Sequence, residues 1–343
     1  MTSSATGRPP EEASPPARGE SQPPRGLPSS AQRWLSIVGG LVLFGVVLSR
    51  VSMGDLTDAF SRARLGQLAA ALVLALLTTV LRTLRFSAIY PPGNRWLDAY
   101  GLFALLRLIS YVLPLRSGEI VSLGLLKQRG LAPTMVETSA AWFLIRLSDL
   151  LALGLLLLLA VTLHSSGDDA RWDVVGRAVT AALAIALVGG GLLFGGWRRL
   201  GPRVAGDGSG WLARRARAFD KGVALVSSPG LIALTLLISL LVWSSQLATG
   251  VVALRAFEYE IPVADCVLAV SLAMTINLLP IRAPLGLGTA DAIWSAALVL
   301  VGVPLGFAVV LALAIRLVQM AAVTLDGTIG FLLSLRSSAQ QAA

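Results

Sequence analysis

The sequence predicts an all-α fold, a polytopic bundle of membrane-spanning helices, and three observations carry that prediction. First, 55% of the 343 residues are hydrophobic and only 14% are charged. A soluble domain carries about 25% charged residues, so too little polar material is present for a water-facing shell. The mean hydropathy of +0.75 agrees. Second, the apolar residues run in unbroken stretches of the length that crosses a bilayer, instead of alternating as barrel strands do. Third, the net charge of +9 gathers in a few loops, as in proteins whose basic loops face the cytoplasm. Only helices and closed barrels satisfy their backbone in hydrocarbon, and the missing alternation leaves helices.

Each element follows in order. Residues 1–33 hold seven of the 17 prolines and read as a disordered cytoplasmic tail. That tail is too polar and too long for the start of a signal peptide, so 34–51 is expected to be a retained anchor helix. The stretch 66–90 is a crossing that ends in Arg82 and Arg85, which are expected to snorkel to the cytoplasmic surface. The stretch 97–126 is apolar but broken by Leu113-Pro114-Leu115-Arg116-Ser117-Gly118-Glu119. Uninterrupted crossings follow at 138–163, 174–196 and 230–254. A second broken region, 263–303, is interrupted by Pro280-Ile281-Arg282-Ala283-Pro284-Leu285-Gly286-Leu287-Gly288. The last crossing is 305–335. The membrane domain is thus read as 34–336, with 337–343 as a short tail.

Loop charges orient the chain. The 197–229 loop has seven basic residues, Arg198 to Lys221, against Asp207 and Asp220, so it is expected inside. Its 211–226 part reads either as an interfacial helix anchored by Trp211, Leu212 and Phe219 or as a plain solvated loop. The 164–173 loop, with Asp168, Asp169 and Asp173 against Arg171, is acidic and expected outside. So is 257–265, with Glu258, Glu260 and Asp265. Alternating crossings then put both termini in the cytoplasm of a multi-pass inner-membrane protein. They also require 97–126 and 263–303 to enter and leave on one side each, as re-entrant hairpins from opposite faces.

The two broken regions are alike. Ile109-Ser110-Tyr111-Val112-Leu113-Pro114-Leu115-Arg116 leads on to Glu119, and Thr275-Ile276-Asn277-Leu278-Leu279-Pro280-Ile281-Arg282 leads on to Asp291. Each is followed by a span with a central arginine, Arg146 and Arg316. Three crossings separate the copies, which makes them an inverted repeat with halves at about 66–196 and 230–335, an architecture of transporters.

A charge at the bilayer centre costs about 2.5–3.5 kcal/mol on insertion scales. Arg107, Arg116, Arg146, Arg282 and Arg316 are therefore expected to face a polar cavity or partners. One reading is a cavity that grips a phosphate through guanidinium forks. The other is that Arg146–Asp149, Arg116–Glu119 and Arg282–Asp291 are buried pairs that only lock helices. On the first reading, the substrate-binding set is Arg107, Arg116, Glu119, Arg146, Asp149, Asn277, Arg282, Asp291 and Arg316. Pro114, Pro280, Gly286 and Gly288 would shape the hairpins, and the carboxylates would orient the guanidinium groups.

Little points to catalysis. A single histidine, His164, in an external loop excludes His-rich metal sites, and the single cysteine, Cys266, excludes an internal disulfide. Asp168-Asp169, Asp55-Leu56-Thr57-Asp58 and Asp326-Gly327 are isolated. No catalytic residue, metal or cofactor is expected, and no basic aromatic-bearing soluble domain suggests nucleic acid.

Three motifs carry a family resemblance. Pro114 to Glu119, followed by Leu125-Leu126-Lys127, resembles the P-x-R-x-G-E … L-L signature of the lysylphosphatidylglycerol synthase transmembrane-region family, also called flippase-like membrane proteins. Arg146-Leu147-Ser148-Asp149 resembles its R-x-x-D helix. Leu279-Pro280 through Gly286-Leu287-Gly288-Thr289-Ala290-Asp291 resembles its P-x-S-P-G-G-L-G-x-x-E hairpin. Arg282-Ala283, Leu285 and Asp291 depart from it, the last by a shorter acid. The resemblance covers roughly residues 35–335.

It implies a lipid-handling membrane domain, which in the best-known members translocates aminoacylated phosphatidylglycerol made by a separate soluble domain. Up to Ala343 no room remains for that domain, so transport without synthesis is the expectation. The expected ligand is an anionic or zwitterionic phospholipid or a polyprenyl-phosphate lipid, and a separate lipid-modifying enzyme is a candidate partner. The competing functions are an intramembrane lipid-linked transferase and a non-transporting accessory subunit of a lipid or glycan pathway.

Overall fold

The computed structural model describes residues 42, 45, 49, 52–113, 117–164, 170–205, 210–257, 261–276 and 287–342. Among these, five helices are long and apolar enough to cross a membrane. They are α2 (Leu65–Ile89), α5 (Met135–His164), α6 (Ala170–Ala205), α8 (Pro229–Ala256) and α11 (Leu305–Ala342). Shorter helices fill the intervals: α1 (Met53–Ser61), α3 (Trp96–Val112), α4 (Ser117–Gln128), α7 (Trp211–Val226), α9 (Val263–Ile276) and α10 (Thr289–Leu300). No strand occurs among the described residues. The anchor expected over 34–51 lies almost wholly outside them. The expected tail from 337 is instead a continuation of α11.

Local chemistry explains the boundaries that matter. α3 stops at Val112 because Leu113 takes an extended conformation, ψ 137°. Pro114 follows, and a proline crowds its predecessor out of the helical region. α8 starts where Ser228 accepts a hydrogen bond from the Leu231 N–H, with Pro229 in the first turn. α10 starts after Gly288, whose φ of 71° suits glycine.

α2 packs along α8, and α5 packs against α8, α9, α6 and α7. α3 lies along α11 while α9 lies on α5, so the leading helix of each broken region rests on the long helix that follows the other one. The helix pair α3–α11 closes to backbone contact: a Cβ at Gly330 would sit 2.5 Å from the Gly101 carbonyl oxygen. Small residues permit this approach where no water-driven force holds helices together. A large core that includes Leu254, Leu298, Leu311 and Ile315 seals the centre.

Residues 211–226 form a helix, α7, that docks on α5 and α6. It turns Val223 and Val226 inward and leaves Arg214, Arg215 and Lys221 exposed. Trp211 lies under the Arg215 guanidinium at 4.1 Å, and Phe219 meets Trp197 edge-on.

Candidate functional site

The site is built on Asp149, in the middle of α5 and only 4% exposed. Arg85 of α2 donates to Asp149 and, at 2.8 Å, to the Ser239 hydroxyl of α8. The Trp243 indole N–H donates to the same carboxylate oxygen at 2.9 Å. Arg146, one turn before Asp149, stands 3.7 Å from its other oxygen, with the guanidinium 6.0 Å from the Trp142 ring. Three residues before Arg85, Arg82 donates to the Gln246 side-chain oxygen at 2.9 Å. The pairing follows from helix periodicity: positions three or four apart share a face, so Arg82 and Arg85 meet Gln246 and Ser239, and Trp243 between them reaches Asp149.

A second cluster joins α2, α3 and α11. Arg107 donates to Asp326 at 3.0 Å, to the Thr79 hydroxyl at 3.1 Å and to the Ala75 carbonyl at 2.9 Å. Asp326 is fully buried and also accepts from Thr79 and, at 3.1 Å, from the Tyr100 hydroxyl. A third cluster joins α10 to α11. There Arg316 donates to Asp291, whose other oxygen accepts from the Gly288 N–H at 3.0 Å.

The first two clusters open onto one cavity of about 320 Å³. That is the low end of the roughly 300–1,000 Å³ typical of small-molecule pockets. Four guanidinium groups, those of Arg82, Arg85, Arg107 and Arg146, share its wall with the carboxylate of Asp149. Trp142, Trp243 and Trp294 supply aromatic faces, and Gln246 and Gln319 supply amides. Buried guanidinium groups present planar donor forks that match a phosphate or carboxylate. Among the described residues, no group of three or more His, Cys, Asp and Glu side chains gathers where it could hold a metal ion.

Of the residues singled out from the sequence, Arg107, Arg146 and Asp149 come together in this wall. Asp291 and Arg316 are 1% and 6% exposed and pair with each other outside it. Gly288 caps α10, and Glu119 falls in the first turn of α4. Arg116, Asn277, Arg282, Pro114, Pro280 and Gly286 lie outside the described residues. Asp291 pairs with Arg316, while Arg282, its partner on the helix-locking reading, lies outside the described residues.

The snorkelling expected of Arg82 and Arg85 is overturned. Arg85 is 6% exposed and held by Asp149. Asp326, which looked isolated, is the hub of the second cluster. The available signals were an arginine pair three residues apart on an apolar helix and an acid inside an apolar stretch. His164 also has a role, bonding to Asp265 at 2.7 Å and packing edge-on against Trp172.

The fold and the site together define an integral membrane protein, polytopic and helical, with an arginine-walled cavity among its spans. The family model for the lysylphosphatidylglycerol synthase TM region matches residues 33–327, and the chain belongs to that family. Neither a curated protein nor a solved structure matches the chain.

Proposed function

We propose that the chain moves a phosphate-bearing lipid between leaflets and that the cavity arginines hold the headgroup phosphate. The observation that carries this reading is the wall itself, with four guanidinium groups on α3 and on the apolar, membrane-length helices α2 and α5. Such charges are costly in hydrocarbon, and their placement around an open space fits an anion that enters and leaves. The cargo class is a phospholipid or polyprenyl-phosphate lipid. Arg107, Arg146 and Asp149 keep the roles expected of them, with Arg82 and Arg85 added. Arg116 and Arg282 remain candidate contributors from the two breaks. The similar broken regions, crossed onto each other's long helices, support an inverted repeat with re-entrant hairpins, and rocking of the two halves would alternate access.

Transfer of fluorescent phosphatidylglycerol in vesicles carrying the purified protein tests this reading. Arg85→Ala and Arg146→Ala should stop transfer while the protein still folds, and lysine at either position should restore only part, since it lacks the planar fork. Wild-type transfer no faster than in protein-free vesicles would refute the reading. The proposed topology has both termini and the exposed face of α7 in the cytoplasm of the inner membrane. A cysteine replacing Arg214, with Cys266 removed, should resist an impermeant reagent added to intact cells; labelling there would reverse the topology.

A further inference from the structure

We propose that the cavity takes a net-anionic headgroup, a lipid phosphate whose charge is not offset by an ammonium group. This rests on the lipid-binding reading above and names the charge class of its cargo. A headgroup bearing both phosphate and ammonium needs two kinds of partner, and the described wall offers one kind. Its carboxylate is Asp149, with one oxygen occupied by Arg85 and Trp243 and the other facing Arg146. Behind the wall, Asp326 is held by Arg107, Thr79 and Tyr100. Arg82 is bonded to the uncharged amide of Gln246, which leaves its charge for a ligand.

Aromatic rings are the other means of holding an ammonium group. Here the Trp142 ring already has the Arg146 guanidinium beside it, Trp243 turns its N–H to Asp149, and the Trp294 face shares the wall with the four guanidinium groups. An ammonium in this space would displace a guanidinium from its acceptor or stand among four like charges, which binding sites use to reject partners. Lysylphosphatidylglycerol combines one phosphate with two ammonium groups and is net cationic, so the lipid in the family's name is the one this wall disfavours most.

The test reads equilibrium binding, separately from transfer. The full chain, in uncharged detergent, is loaded with fluorescent phosphatidylglycerol. Unlabelled phosphatidylglycerol, phosphatidic acid, phosphatidylethanolamine and lysylphosphatidylglycerol then compete with it. The two anionic lipids should displace the probe at concentrations at least about tenfold below lysylphosphatidylglycerol, a difference of about 1.4 kcal/mol, with phosphatidylethanolamine between. Arg82→Gln and Arg146→Gln should each narrow that gap, whereas Arg214→Gln on α7 should not.

Lysylphosphatidylglycerol or phosphatidylethanolamine competing as well as phosphatidylglycerol overturns the charge assignment. So does a gap untouched by both cavity variants, because the preference would then come from basic surfaces such as α7. Failure of any lipid to bind overturns the lipid-binding reading together with this inference. The expected ranking without transfer in vesicles supports this inference and refutes transport.

Discussion

Two arginine–carboxylate pairs lie deep in this bundle, and they differ in what surrounds them. Arg316–Asp291 is closed: both side chains are almost fully buried, Asp291 also caps Gly288, and neither residue reaches the cavity. Arg85–Asp149 is open: the same kind of pair stands in the cavity wall, with Arg146 and Trp243 on the same carboxylate. The closed pair joins α10 to α11. The open pair spreads one carboxylate over two arginines, in a wall that Arg82 and Arg107 share. On the proposed reading, burial alone does not mark a binding arginine; the ratio of guanidinium to carboxylate groups and access to open space do.

The largest effect should come from the closed pair. Arg316→Ala leaves the buried Asp291 carboxylate without its arginine, and breaking a buried pair costs about 3–5 kcal/mol. Thermal unfolding in detergent should show this loss, and added lipid should not restore it. Arg85→Ala should cost less, about 1.5–3 kcal/mol, the range for a hydrogen bond to a charged group, because Trp243 and Arg146 still face Asp149. Equal losses at the two positions would erase the distinction between them.

Gly288→Ala should cost about 1–3 kcal/mol by forcing a side chain into a positive-φ backbone at the start of α10. It should lower the melting temperature without changing the ranking of competing lipids. A changed ranking would couple the closed pair to the cavity. The smallest stability effect should be at Arg146, whose side chain is 35% exposed and 3.7 Å from Asp149. Arg146→Ala should cost under about 1 kcal/mol, the scale of a partly solvated ion pair, yet strongly reduce lipid transfer. A large stability loss with transfer intact would make Arg146 a lock like Arg316.

Depth explains why Arg85 was misread from the sequence. It lies four residues from the end of α2, about 6 Å at 1.5 Å per residue. Asp149 lies fourteen residues into α5, about 21 Å. A reading along one helix therefore places Arg85 near the surface and Asp149 at the centre, whereas in the bundle they touch. The end of α2 is also packed: Ile89 is buried, Tyr90 reaches the Glu137 carbonyl near the start of α5, and α7 docks on that same turn at Gly222.

Composition and apolar run lengths were enough to read the solvent and the chain's division. Twenty-odd apolar residues in a row must span, Pro114 must end α3, and a basic 197–229 loop must separate two crossings. The motifs at 114–119, 146–149 and 279–291 were enough to indicate the family. Which arginines share a cavity emerged from the packing of the helices. In a soluble helix the polar side reveals how the helix is turned, but here the lipid-facing and core-facing sides are both apolar. Exposed Ile185 and Leu192 on α6 read no differently from buried Leu153 and Leu157 on α5. Rotation and relative depth are then fixed by close packing at glycines such as Gly101 and Gly330 and by the bonds that Arg85, Arg107 and Arg316 make across helices.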